Sequence, residues 1–342
     1  MPTLMPKRLS VKWIAIVLFF SLQMAQSQSP APEDIQKLSD LVNDAVYFTR
    51  IFVTPATDAA VYQASNGWMN TPKKPELWGL NVGLHGNVFF VPKSNRTFKI
   101  QNSDFKFFSV PNGSAEVQTA LGNGDQITLT GTINNEPVNV KTPEGVNTET
   151  VQYVYLQASL GLWYGTELVA KFSPVVKIGN FDYQVYGLGL KHNLDQYIPS
   201  MANKNLHLAV MTSYGREDLS VKFLDVQTRY GNLGLNQLNS LIDTYQFQIN
   251  FSKQFSKLEL ATGLIFNSST FNYKMGGEPG SIENTIPAQQ ILNTKLLELS
   301  TTKSNLLGEI SGRYPYRKFF FQATVGIGKF INSNLAVQYQ IK

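Results

Sequence analysis

Three histidines are the first places to look for chemistry: His85, His192 and His207. No two of them stand at a metal-ligand spacing such as H-E-x-x-H, and the chain has no cysteine to complete a ligand set. There is no nucleophile elbow, no phosphate loop and no dinucleotide fingerprint. Gly187 and Gly189 form a G-x-G inside an alternating run rather than ahead of a helix, which reads as close backbone packing. No catalytic residue, cofactor or metal is expected, so an enzyme is not the leading reading. What remains is polar side chains at every second position. Gln246, Gln248, Asn250 and Ser252 form one such row, and His85 sits in another. They are the candidate site residues, of the kind that line a lumen. Tyr153, Tyr155 and Trp163 fall on the polar face of their run, where rings could line a path for an apolar ligand, pack against the N-terminal segment or sit above the bilayer. Lys191-His192 falls at an expected turn. Asn95, Asn112, Asn250 and Asn267 head N-x-S/T sequons, which mean nothing without the matching glycosylation pathway.

The elements that must position these residues are strands. Tyr245, Phe247, Ile249 and Phe251 alternate with the polar row. After a turn near Lys253–Lys257, Leu258, Leu260, Thr262, Leu264 and Phe266 alternate with Glu259, Ala261, Gly263 and Ile265. Strand side chains switch faces at each residue, so this is an antiparallel hairpin with one apolar face. Similar runs occupy 78–90, 151–164, 166–177, 181–190, 206–214, 306–313, 318–329 and 335–341. With the hairpin they make ten strands.

The N-terminus narrows what the apolar faces touch. Lys7, Arg8 and Lys12 precede a ten-residue apolar run, Trp13 to Leu22, and Ala25-Gln26-Ser27 offers a cleavage site. That is the layout of a secretory signal peptide over residues 1–27; the run is too short to span a bilayer, which takes about 20 residues. Three of the five net positive charges lie in it, leaving about +2, and no Lys/Arg run supports nucleic-acid binding. Residues 28–77 open with Pro32-Glu33-Asp34 and a helical face of Ile35, Leu38, Leu41 and Val42. They pass turn signals at Thr54-Pro55 and Asn66-Gly67, and read as a periplasmic cap or a plug.

Three features favour lipid over a protein core. The runs are about 9–14 residues long, which suits a tilted bilayer-crossing strand better than a soluble one. The polar faces carry Gly, Ser, Asn and Gln rather than Lys and Glu; charged residues are 15% and aromatics 12%. Trp78, Phe90, Tyr164, Tyr214, Tyr245, Phe255, Phe266, Phe319 and Tyr339 sit near run ends, where rings meet a membrane interface. Connection lengths also separate by side. Long ones at 92–150, 216–242 and 268–304 share a side with 178–180 and 330–332. Short ones at Gly165, 256 and 314–317 share the other with 191–203. With the N-terminus starting in the periplasm, the expected fold is all-β: a transmembrane antiparallel up-and-down barrel over residues 78–342. It has about ten strands, within about eight to fourteen, and lies in the outer membrane.

Asn66-Gly67-Trp68-Met69-Asn70-Thr71, Phe89-Phe90-Val91-Pro92-Lys93-Ser94, Gly165-Thr166-Glu167-Leu168 through Phe172-Ser173-Pro174, and Tyr186-Gly187-Leu188-Gly189-Leu190-Lys191-His192-Asn193-Leu194 with Gln196-Tyr197-Ile198-Pro199 resemble a family of exported proteins from diderm bacteria. That family is catalogued only as a domain of unknown function. The resemblance implies an outer-membrane β-barrel and adds no activity or site. The closing alternation Leu335, Val337, Tyr339, Ile341 is similar to a barrel-assembly signal, but it ends on Lys342 rather than an aromatic residue. A looser likeness, to barrels that move hydrophobic compounds past an N-terminal plug, is one of architecture.

The expected function is a narrow channel or transporter for a small or hydrophobic compound, or a surface scaffold. The alternatives are a barrel enzyme acting on lipids and a secreted soluble β-sandwich binding module. Outer-membrane lipid is the expected partner, a small hydrophobic ligand is a further candidate, and nucleic acid is not expected.

Overall fold

The computed structural model describes residues 32–341 apart from 134, 148, 179–180, 223–226, 229–230, 233–235 and 281–287. The expected signal peptide and the turn at Gly179-Asn180 lie outside the described residues.

Ten strands form a closed barrel: β1 (Leu80–Phe90), β2 (Thr150–Gly161), β3 (Thr166–Phe172), β4 (Phe181–Asn193), β5 (Leu206–Lys222), β6 (Gln237–Phe255), β7 (Leu258–Gly276), β8 (Thr301–Tyr316), β9 (Phe319–Ile327) and β10 (Ile331–Gln340). Each pairs antiparallel with its sequence neighbour, and β10 pairs back onto β1, which leaves no open edge. Leu84 faces Leu156 on one side and Val337 on the other. A short strand, Val176–Ile178, adds to the start of β4. The expected all-β, ten-stranded up-and-down barrel is what the structure shows.

Connections sort by end as their lengths suggested. Residues 91–149, 173–180, 223–236, 277–300 and 328–330 join strands at one end; 162–165, 194–205, 256–257 and 317–318 join them at the other. The long 91–149 connection carries two hairpins of its own, Thr97–Gln101 with Ser114–Gln118 and Thr128–Ile133 with Glu136–Lys141. They do not join the wall's ladder, but their apolar residues share its upper core.

The alternation changes phase along the barrel. On β6, Tyr245, Phe247, Ile249 and Phe251 point out and are 66%, 52%, 39% and 39% exposed, while their neighbours are buried. Leu264, Leu306, Ile310, Phe321 and Leu335 continue this outward apolar belt on other strands. Toward the long connections the order inverts: Leu238 and Ile242 are buried, while Asn239 and Asp243 lie on the outer face. Likewise Phe271, Tyr273 and Met275 point in, while Thr270, Asn272 and Lys274 point out. The upper barrel is therefore built like a soluble β-domain, and its inner face joins the main hydrophobic core. This inversion explains why the strands outrun the expected hairpin, since hydrophobicity alone marks only the lower part. The expected long connection 216–242 is wall at both ends, because β5 continues to Lys222 and β6 begins at Gln237.

Residues Pro32–Ser65 form one helix, α1. The expected turn at Thr54-Pro55 is not there. Proline removes one N–H from the helical ladder. The helix runs on through Pro55 with only that bond lost; nearby, the Thr54 hydroxyl donates to Arg50 O at 2.6 Å and Thr57 Oγ1 to Thr54 O at 3.1 Å. From Ala56 to Met69 every residue is buried. A helix buried on all sides has no amphipathic stripe to betray it.

Candidate functional site

The candidate site is the barrel interior, and α1 with the segment after it runs through it. Each rung of that passage bonds an inward-facing wall residue. Near the long connections, Asp58 holds Lys303 at 2.6 Å and Lys329 at 2.7 Å. Tyr62 OH donates to Asn305 at 3.1 Å, and Asn332 Nδ2 donates to Tyr62 O at 2.8 Å. Asn87 Nδ2 donates to Gln63 O at 2.9 Å. At the helix end, Lys171 Nζ donates to Ala64 O and Asn66 O, both at 3.0 Å, satisfying carbonyls that a helix C-terminus leaves open. Its amine also lies 4.4 Å from the Trp68 ring centroid and 4.6 Å from that of Tyr155. Gly67 N donates to Glu309 at 2.9 Å and Gln157 Nε2 to Trp68 O at 2.9 Å. Toward the short turns, Thr71 Oγ1 donates to Glu259 at 2.7 Å. Lys191 Nζ binds Thr71 O at 2.9 Å and also pairs with Glu167.

The candidate residues from sequence all lie inside, and they are engaged. Gln246 Nε2 donates to Ser65 O at 3.2 Å and to Gln248 at 3.1 Å. Gln248 and Asn250 reach Glu309 Oε1 at 3.3 Å and 3.4 Å, and Ser252 Oγ donates to Glu259 at 2.7 Å. The row thus supports the two carboxylates that grip Gly67 and Thr71. His85 is 1% exposed, bonds Asn334 at 3.1 Å and stacks on Tyr155 with centroids 4.7 Å apart.

Two expectations need correction. Trp163 does not face inward: β2 ends at Gly161, and Trp163 lies in the turn, exposed and edge-on to Trp78 at 4.7 Å. Lys191-His192 is not a turn but the end of β4; Lys191 points in, and His192 reaches Thr166 and Tyr197. The first half of α1 packs against the long connections. Asp44 accepts the backbone N–H of Lys106, Phe107 and Phe108 at 3.0, 2.7 and 3.0 Å, all in the 91–149 connection.

Sequence reading missed the charged members: Glu309, Glu259, Lys171, Lys191 and Arg313. Their signal was present. Each is a charge at an inward-facing position of its strand, and buried charges need partners. The Gly187 prediction of close packing fits: a Cβ there would stand 2.3 Å from Tyr214 O and 2.9 Å from Trp68 Cη2. Little room remains for passage. A cavity between α1 and the wall, touching Ala59, Gln63, Tyr183 and Leu219, holds about 40 Å³, which is space for about one water. No group of three or more His, Asp or Glu residues suited to a metal occurs among the described residues.

Fold and interior together define a closed antiparallel β-barrel threaded by its own N-terminal segment. The chain belongs to a family of unknown function, DUF6588, whose model matches residues 6–341. No curated protein matches it. Among solved structures it is similar to Ail, the attachment invasion locus protein of Yersinia pestis. That match has 7% identity, covers 77% of this chain and 98% of that one, and has a TM-score of 0.26. It is also similar to the toluene transporters TodX of Pseudomonas putida and TbuX of Ralstonia pickettii. TodX shows 9% identity, 81% and 95% coverage and a TM-score of 0.20; TbuX shows 11%, 77% and 90%, and 0.21. At these scores the likeness decides nothing about activity.

Proposed function

We propose that this protein is an outer-membrane barrel whose own N-terminal segment plugs the lumen, acting as a surface scaffold rather than an open pore. The membrane placement rests on the apolar belt. On β6 it runs from Tyr245 to Phe255, ten steps of about 3.3 Å, or about 25 Å of height at the usual tilt of about 40°. Aromatic side chains mark both margins. Phe90, Tyr186, Tyr245 and Phe266 lie toward the long connections, and Trp163, Tyr197, Phe255, Tyr316 and Phe319 toward the short turns. Rings favour such interfaces, and long connections face outward in this class of barrel.

The observation that carries the scaffold reading is the unbroken series of bonds from Asp58 to Lys191 that ties the segment to the wall. A second reading, a gated channel, is favoured by the polarity of the lower wall: Gln248, Asn250, Asn334 and Gln338 would line a wet path once the segment left. Planar-bilayer recording separates the two. The scaffold reading expects a full-length protein that stays silent at every applied voltage and a conducting variant lacking residues 32–65, whereas a gated channel would open at full length. Steady conductance from the full-length protein would refute it.

A further inference from the structure

We propose that the barrel presents the N-terminal part of its own chain on the outer face of the membrane. This rests on the membrane orientation proposed above. Barrel chains are expected to begin at the short-turn side, and here β1 does, with Trp78 N bonded to Gly161 O at 2.9 Å beside the 162–165 turn. Yet the residues before β1 do not come from that side.

The contacts give α1 a direction. Position along β8 serves as a ruler, since Thr301 lies at the long-connection end and Tyr316 at the short-turn end. Asp58 meets Lys303, Tyr62 meets Asn305, and Gly67 meets Glu309. Later residues meet later positions, so the segment descends from the long connections to the short turns. Toward its Pro32 end the helix packs among the long connections. Ala120 N donates to Phe52 O at 2.9 Å, Phe48 packs on Phe98 at 5.5 Å, and Tyr47 on Phe105 at 5.8 Å. Asp44 caps three N–H groups of the 91–149 connection, as given above.

For the chain before Pro32 to return to the short-turn side, it would have to pass a lumen already filled by Ala56–Met69 or run down through lipid. The first needs space that the described residues, buried throughout Ala56–Met69, do not leave. The second would leave backbone groups without partners in the hydrocarbon region. The Pro32 end of α1 therefore stays on the long-connection face. Assembly must then carry this segment across the membrane within the closing barrel, and the upper domain, with its soluble-type core, holds it there.

The absence of cysteine allows a clean test on intact cells, using a bulky membrane-impermeant maleimide and three single-cysteine variants of the full chain. Glu33→Cys reports on α1, whose Glu33 side chain is 78% exposed. Glu144→Cys reports on the 91–149 connection, and Lys257→Cys on a short turn; both positions are exposed. The expected result is that Glu33→Cys and Glu144→Cys label on intact cells, and Lys257→Cys only after permeabilisation. Labelling of Glu144→Cys with Glu33→Cys protected until permeabilisation overturns this inference and leaves the orientation standing. Protection of Glu144→Cys on intact cells overturns the orientation and this inference with it.

Discussion

Lys171→Met should release α1 from the barrel far more often than in the natural protein. Lys171 is fully buried and bonds two carbonyls at the helix end, Ala64 O and Asn66 O. Methionine fills similar space and donates nothing. Ala64 O keeps another donor, Trp68 Nε1 at 2.9 Å, so its loss is partial. Asn66 O is left bare. Leaving a buried acceptor unsatisfied costs about 1–3 kcal/mol, so about 2 for Asn66 O and about 1 for Ala64 O gives about 3 kcal/mol. At 1.4 kcal/mol per tenfold, the released fraction rises about 100-fold. Ala60 is 5% exposed within the passage, so the labelling rate of Ala60→Cys by a small maleimide reports that fraction. Ala261→Cys, on the inward face of β7, is the wall control. A change at Ala60→Cys below about threefold, or ~0.7 kcal/mol, would refute the anchoring role. Equal acceleration at Ala261→Cys would mean a loosened barrel rather than a released helix.

Gly187→Val should abolish the heat-modifiable folded band on gels, because its Cβ meets backbone oxygen at 2.3 Å; Gly308→Ala, whose Cβ would find nothing nearer than 3.9 Å, should keep it. Ile249→Arg should destabilise the reconstituted barrel by about 2–4 kcal/mol in denaturant titrations, whereas Thr270→Arg, above the belt, should change it by less than about 0.5. Asp44→Ala removes the acceptor for three N–H groups, so tryptic cleavage after Lys106 should speed up in line with a local loss of about 2 kcal/mol.

The sequence disclosed the barrel where lipid-type alternation holds. Tyr245–Phe251 against Gln246–Ser252 is legible because the two faces differ strongly in polarity. It became illegible where two environments meet. At Leu238–Thr244 the apolar residues move to the inner face, so a reading by one phase registers only a mixed stretch. The helix was hidden for a related reason. Ala56 to Ser65 is enclosed on every side, which leaves no stripe, and Pro55 looks like punctuation, yet it costs the buried helix only one ladder bond. The site was half visible. Gln246, Gln248, Asn250 and Ser252 follow from alternation alone, but Glu309 and Glu259, which they support, become important only when Gly67 and Thr71 are brought opposite them. Nothing local in β7 or β8 announces that partner.

The central claim, a lipid-facing belt around a filled interior, is tested most directly by nitroxide scanning of the reconstituted protein. Single cysteines along Tyr245–Phe255 and at Leu264, Ile310 and Leu335 would carry the label. The account predicts period-two behaviour on β6: high oxygen and low nickel-chelate accessibility at 247, 249 and 251, and little of either at 248, 250 and 252, with 264, 310 and 335 like the first set. High nickel-chelate accessibility at 247, 249 and 251 would place that face in water and contradict it.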